Sequence, residues 1–547
     1  MNKTIQKLGL GALIVTVITA AGYKNDFFEV SKNLEIYSDI YKTLNVYYVD
    51  DTQPGKLMKT GIDAMLKSLD PYTTYYPESK IEDYRFTTTG QYGGIGSLIR
   101  EIDDQTFISE PYENSPAAKA GLKAGDRILS IDGKSVEEKS QDEISSFLKG
   151  QAGTEVKVEI ERNGKEKIDV LINREEIKIP DVPHSGMLAD NVGYIKLSGF
   201  TQTASSEVKK AYQALKKDGM EKLVFDLRGN GGGLLREAVN IVNFFVPKGT
   251  EIVSTRGKLE EWDKVHKGLN EPLSKDIPVV VLIDEGSASA SEIVSGTLQD
   301  LDRAVIIGKN SFGKGLVQQT KDIPYGTKLK LTVAKYYTPS GRCIQKLDYF
   351  NKNITGFAEE VPDSLVMNFK TKNGRTVYDG RGIYPDVKVE DEEYGKILEA
   401  LFKNHLIFKW ANQFQLENQE IDLADSFHLN DEQYDEFVSF ARQFDLKYTT
   451  ASETYLEELV EVAKKEKYYS EVESELKAME TKLNSNQKDD IYKFRDQIQR
   501  ILENEIVSRY YYQKGRAEHS LNDDPFIDQA LVVLNGADYS SILAGKN

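Results

Sequence analysis

Val279-Val280-Val281-Leu282-Ile283-Asp284-Glu285-Gly286-Ser287-Ala288-Ser289-Ala290-Ser291-Glu292-Ile293 places a strand, a turn and a helix start in one short run. The first five residues are apolar with no polar alternation, which reads as a buried strand. Asp284-Glu285-Gly286 breaks it. Ser289 and Glu292, three apart and followed by Ile293, Thr297 and Leu298, fit the capping box of a helix N-terminus. A serine at a strand-to-helix turn is exposed at the edge of the sheet, where the helix N-terminus stabilises negative charge. The local pattern does not choose among Ser287, Ser289 and Ser291.

The same grammar extends to either side. Gly193-Tyr194-Ile195-Lys196-Leu197 and Lys222-Leu223-Val224-Phe225-Asp226-Leu227 read as strands, Ser205 to Lys217 as an amphipathic helix, and a further helix starts near Arg236. Alternating strands and helices argue an α/β core. Between them Arg228-Gly229-Asn230-Gly231-Gly232-Gly233-Leu234 is a turn whose N–H groups can face an anion, and a tight turn without a ligand fits it equally well. After the strand Ala304 to Gly308, the run Gly308 to Gly315 satisfies G-x-x-x-x-G-K. Gly315 stands where a nucleotide-binding loop needs Ser or Thr, and Leu316-Val317-Gln318 continues as a strand, so that loop is rejected. Lys314 lies between two glycines among apolar neighbours, where burial favours the neutral amine and a base role. Gln318, four residues on, is placed to share its face and orient it.

Residues 87–173 are short β-rich runs broken by glycine, with a helix from Gln141 to Leu148 and a hairpin turned by Asn163-Gly164. Gly93-Gly94-Ile95-Gly96, Ser115-Pro116-Ala117-Ala118, Ala120-Gly121-Leu122 and Gly125-Asp126-Arg127-Ile128-Leu129 together resemble a PDZ domain. Backbone N–H groups at Gly94, Ile95 and Gly96 would then cradle a terminal carboxylate while a peptide adds as a strand.

The block from Gly286 to Gln318 resembles the signature of the C-terminal processing, or tail-specific, proteases: S-A-S-A-S-E-I, L-Q-D, G-R-A and F-G-K-G-x-V-Q. This chain carries each piece, with Asp302-Arg303-Ala304 at G-R-A. The resemblance extends to Asp226-Leu227-Arg228, Tyr336 to Arg342 and Gly382 to Asp386, and so covers roughly Leu69 to Val389. It implies Ser289 as nucleophile, Lys314 as general base and Gln318 as third member. It also implies an oxyanion site formed by the N–H groups of Ala290 and of Gly232 or Gly233. Gly231 departs from the family's usual proline, which leaves open which glycine serves. The implied reaction is endopeptidase acyl transfer without metal or cofactor. The implied partners are polypeptides with free, apolar C-termini.

The expected fold class is multidomain α+β. It comprises an N-terminal helical domain (27–86), the PDZ domain (87–173), an α/β crotonase-like peptidase core (174–389, with 69–86 contributing) and a C-terminal helical accessory domain (390–547). The helical ends rest on periodicity: Val30, Leu34, Tyr37, Ile40, Tyr41 and Leu44 at one end, and stripes such as Tyr455, Leu456, Leu459 and Ile491, Phe494, Ile498 at the other. No catalytic pattern appears in either. Lys3 and Lys7 precede an apolar run from Leu8 to Gly22, which reads as a signal peptide or N-terminal membrane anchor. Export to a bacterial cell envelope is the expectation, with a homo-oligomer or an adaptor as further partners.

Composition narrows the alternatives. A net charge of −17 disfavours nucleic acid. One cysteine, Cys343, excludes an internal disulfide or a Cys-based metal cage. His184, His266, His405, His428 and His519 form no triad or metal motif. Two other classes fit parts of the chain: an inactive homologue that only scaffolds, and a crotonase-like acyl enzyme. Ser289, Lys314 and Gln318 together argue against the first. The PDZ segment and the export signal argue against the second.

Overall fold

The computed structural model describes residues 27–189, 191–353, 356–390, 392–486 and 489–546. The expected export segment, 1–22, lies outside them. No helix among the described residues is long and apolar enough to cross a membrane. The chain folds as two units, one of residues up to Ile81 with Gln318–Thr332 and one of Glu82–Val317 with Val333 onwards.

In the smaller unit residues 27–47 and Pro54–Lys67 are helical, and Thr74–Tyr76 pairs antiparallel with Lys328–Lys330. The expected N-terminal helices form, but they enclose no core. Val30, Leu34 and Ile40 are exposed, and Leu66 is the one buried apolar residue among the described residues 27–69. Two helices side by side cannot surround an apolar stripe. The periodicity marked these helices correctly.

The larger unit opens with the expected β-rich segment. Ser97–Ile102, Gln105–Pro111, Arg127–Ile131, Glu155–Arg162 and Glu166–Asn173 form an antiparallel sheet in that order, with Ser97–Ile102 on an edge. The last two make the hairpin, and Asn163 and Gly164 at its turn both take positive φ, 56° and 64°. They are the central residues of a turn closed by the Lys165 N–H to Arg162 O at 3.2 Å, within a three-residue connection between Arg162 and Glu166. The helix Gln141–Leu148 starts at a capping box of Ser140 and Glu143. Ile95, Ile108, Ile128, Ile144, Val158 and Ile160 form the module's own core.

The α/β core is a six-stranded sheet: β1 (His184–Ala189), β2 (Val192–Lys196), β3 (Lys222–Asp226), β4 (Val279–Ile283), β5 (Val305–Gly308) and β6 (Val387–Lys388), lying in that order in space. β1 is antiparallel to β2, and every later neighbour is parallel. Helices α1 (Ala204–Lys217), α2 (Leu235–Val242) and α3 (Ala290–Asp300) fill the crossovers. Parallel crossovers are right-handed, so strands laid down in one direction put every crossover helix on one face. On that face Ile195, Leu223, Phe225, Val279, Val281 and Ile306 pack with Val208, Ala238, Ile241, Ile293 and Leu298.

The opposite face presents Val192, Tyr194, Val224, Val280, Leu282, Val305 and Ile307, and something must bury it. Ile527, Ala530, Val533 and Leu534 do so, from a helix of residues Pro525–Asn535 near the chain's end. The expected C-terminal helical region thus packs in two places. Ile397 to Val507 form a helical bundle with its own core around Trp410, Phe437, Leu502 and Ile506, while residues 525–543 cover the second face of the α/β sheet.

Candidate active site

β4 ends at Ile283, and the turn that follows delivers Ser289 to the start of α3 with φ 54° and ψ −107°. A left-handed φ at a non-glycine residue is strained and persists only where its surroundings enforce it. The three serines of the motif part company here. Ser287 is fully buried; its Oγ donates to Leu227 O at 2.9 Å and accepts from the Asp284 N–H at 2.9 Å. Ser291 is fully buried and its Oγ donates to Asn230 O at 2.8 Å. Ser289 is half-buried and opens toward solvent.

What holds this strained turn is Glu292. Its side chain is fully buried, and its two oxygens collect four donors. Oε2 accepts from the N–H of Ser289 at 2.7 Å and of Lys314 at 2.9 Å. Oε1 accepts from the Ser311 hydroxyl at 2.5 Å and the Gly313 N–H at 2.6 Å. The main chains of Ser289 and Lys314, which are 25 residues apart in sequence, therefore share one carboxylate oxygen. Burial pushes the Glu292 carboxyl up, and the four donors pull it back part of the way. The capping-box pattern foreshadowed the Ser289 bond. The three donors from the Lys314 loop leave no sequence signal, because nothing local links position 292 to positions 311–314.

Lys314 stands in an irregular stretch immediately before the strand Leu316–Ile323. It is half-buried and precedes that strand, whereas Gln318 lies within it. Gln318 falls in the smaller unit, where its side-chain amide donates to Thr332 Oγ1 at 3.3 Å.

The glycine loop after β3 backs directly onto Ser289. A methyl group built on Gly232 would come within 2.7 Å of Ala288 O, 2.9 Å of Ala290 N and 2.9 Å of Ser289 Cβ, and its φ is 95°. Only glycine fits there. The Gly232 N–H is already donated to Asn230 Oδ1 at 2.9 Å. Among the described residues no acceptor takes the N–H of Gly233 or of Ala290. Asn230 itself is fully buried; its Nδ2 donates to Leu197 O at 2.8 Å and its carbonyl accepts from the Ala288 N–H at 3.0 Å.

In the PDZ-like module the Ile95 and Gly96 carbonyls accept from Ala117 and Tyr112 at 2.8 and 2.9 Å, and no acceptor among the described residues takes either residue's N–H. The edge strand Ser97–Ile102 runs on from them. Ile99 is paired opposite Ile108, whose own N–H and C=O bond to Asp126 and Gly125 on the far side. The Ile99 groups therefore point to the open edge. There the Gln141 side-chain amide donates to Ile99 O at 2.9 Å, where an added strand would place an N–H.

The profile of peptidase family S41 matches residues 191–354, a PDZ-domain profile residues 107–162, and a profile for the C-terminal helical domain of a probable PDZ-protease residues 397–534. A probable CtpA-like serine protease of Staphylococcus aureus (strain MRSA252) is 37% identical over 346 residues, covering 61% of this chain and 69% of the relative. A carboxy-terminal-processing protease of Bartonella bacilliformis is 39% identical over 319 residues, covering 57% and 73%. The solved photosystem II D1 C-terminal processing protease is 26% identical, over 65% of this chain and 92% of that one, with a TM-score of 0.35. By identity and coverage, the chain belongs to the carboxy-terminal-processing, CtpA-like serine proteases of peptidase family S41.

Proposed function

We propose that the chain cleaves polypeptides through Ser289 as nucleophile and Lys314 as general base. The carrying observation is that, of three clustered serines, Ser289 alone is solvent-accessible, while Ser287 and Ser291 are buried and hydrogen-bonded. Neutral Lys314 takes the Ser289 proton as Oγ bonds to the scissile carbonyl carbon. That proton passes to the leaving amine as the C–N bond breaks, and water then hydrolyses the acyl-enzyme. The N–H groups of Gly233 and Ala290 hold the oxyanion; Gly232, whose N–H is committed to Asn230, supplies close approach instead. Such a donor is worth about 3–4 kcal/mol of barrier. Gln318 is assigned the role of orienting the lysine on the family motif alone.

The PDZ module is the reader of substrate tails, with Ile95 and Gly96 as the carboxylate donors and Gly94 leading into them. The substrates are envelope polypeptides met after export. The basic residues Lys3 and Lys7 and the apolar run behind them support that location.

The test is turnover of fluorescein-labelled casein together with labelling by a fluorophosphonate probe. Ser289→Ala and Lys314→Ala should each lose at least about 10³-fold in kcat, and the double variant should be little worse, because the two act as one unit. Lys314→Arg should be equally inactive, since guanidinium stays protonated. Ser287→Ala and Ser291→Ala should keep labelling wherever they fold. An inactive Ser287→Ala beside an active Ser289→Ala would overturn the assignment.

A further inference from the structure

Tyr336 touches both halves of the proposed site. It lies near the end of the strand Thr327–Tyr337, just where Ala334–Tyr337 pairs with Ser254–Gly257. Its ring is 1% exposed and packs in the core with Ile293 and Ile344. Its hydroxyl donates to Ser289 O at 3.1 Å. That carbonyl also accepts the Ile293 N–H at 2.9 Å, so both of its lone pairs are engaged. The backbone N–H of Tyr336 donates to Gly315 O at 3.0 Å, on the residue that follows Lys314. Glu292 spans the same two segments through the N–H of Ser289 and of Lys314. The Ser289 peptide groups are thus held on both sides, by Glu292 on the N–H and by Tyr336 on the C=O.

From this we infer that Tyr336 is a positioning residue for the Ser289–Lys314 pair, its hydroxyl and its main chain together fixing the separation of nucleophile and base. The inference rests on the proposed roles of those two residues. Tyr336 touches no reacting atom and acts through the carbonyl of Ser289. Burial, with Glu292 and Cys343 nearby, pushes its phenol well above the ordinary tyrosine range, so it remains a donor at any working pH. Without the Tyr336 hydroxyl the Ser289 carbonyl keeps only the Ile293 N–H, and the left-handed φ loses one of the contacts that enforce it.

Tyr336→Phe deletes one oxygen and keeps the ring. Measured on labelled casein, its kcat should fall about 10- to 100-fold with KM within about twofold, as expected when reacting groups are misplaced by a fraction of an ångström. Fluorophosphonate labelling of Ser289, scored by peptide mass spectrometry on the folded fraction from gel filtration, should slow by the same factor. The limb of the kcat profile on which activity rises with pH, set by deprotonation of the base, should shift, because the lysine no longer meets its partner at a fixed distance. Tyr337→Phe, at the half-buried neighbour, serves as the control and should behave as wild type. Wild-type kcat and labelling rate in Tyr336→Phe would overturn the inference, as would a loss confined to KM or one matched by loss of folded protein. Ser289→Ala separates the two levels: if it stays active the nucleophile reading fails, whereas if it is dead and Tyr336→Phe is normal only the role of Tyr336 fails.

Discussion

Ser287, Ser289 and Ser291 have the same side chain two residues apart, and what distinguishes them is where their hydrogen bonds go. Ser287 and Ser291 knit the turn to the end of β3 and the glycine loop, while Ser289, at its left-handed φ of 54°, stays half-buried. The sequence motif located the turn and the family resemblance named the serine. The burial that separates the three comes from Leu227 and Asn230, some 60 residues away in the chain. Glu292 makes the same point more sharply, since one of its four donors was legible as a capping box and three were not. In Glu292→Gln one oxygen becomes an NH₂ group facing two former donors. Each buried N–H left without an acceptor costs about 1–3 kcal/mol, and the turn and the lysine loop are no longer tied together. The expected outcome is a lower thermal midpoint together with a kcat reduced about 100-fold or more on labelled casein. A glutamine variant with wild-type kcat would show that the carboxylate is dispensable to the site.

Strands and helices place these residues, and the order β1 to β6 explains more of the molecule than any single motif. The alternation of buried strands with amphipathic helices was legible because each segment carries its own period. The cover on the second face was not: the strands are apolar on both sides, and a strand does not say which distant helix will bury it. The helix Pro525–Asn535 brings Asp524 at its N-terminus against Arg228, which also grips Asp226 at the end of β3, with Arg228–Asp226 and Arg228–Asp524 contacts of 2.7 Å each. Asp226 is fully buried; it accepts from the Tyr194 hydroxyl at 2.7 Å and lies 3.3 Å from Lys196. Burial alone would raise its carboxyl, but Arg228 first and Lys196 next outweigh burial and hold it below the usual carboxylate range. A depressed folded value means that the contribution is complete above the unfolded aspartate value of about 3.9 and is lost as pH falls below it. Asp226→Asn should accordingly be destabilised by a constant amount from neutral pH down to about 4, with the gap to wild type closing at lower pH. Urea melts at a series of pH values measure this, and a gap that stays constant well below pH 4 would contradict the assignment.

At the scale of the whole molecule, the α/β core and the PDZ module have separate hydrophobic cores, and the proposed tail reading links them through the substrate. The module's offer is specific. Ile95 and Gly96 present N–H groups with no acceptor among the described residues, and beside them runs an open strand edge on which Gln141 occupies the Ile99 carbonyl. A peptide ending there would add as a strand, displace the Gln141 amide and set its carboxylate against the loop. A free carboxylate meets those donors with charge, and a hydrogen bond to a charged group is worth about 1.5–3 kcal/mol, or roughly 10- to 150-fold in apparent KM. Amidation keeps the shape of the tail and removes the charge, which isolates that contribution. Apolar residues near the tail should bind better than acidic ones, because alternate side chains of an added strand are buried in such a groove. One unfolded protein substrate carrying in turn an apolar, an acidic and an amidated tail should therefore be degraded fastest in the first form. A short internal peptide that reaches Ser289 by diffusion should be cleaved at a rate indifferent to its end group. Gln141→Ala, which clears the strand edge in advance, should speed degradation of all three forms by a similar factor and leave the ratios between tails unchanged, because the backbone contribution it strengthens is common to all three. Equal rates for the three tails would leave the serine protease intact and remove tail reading from residues 87–173.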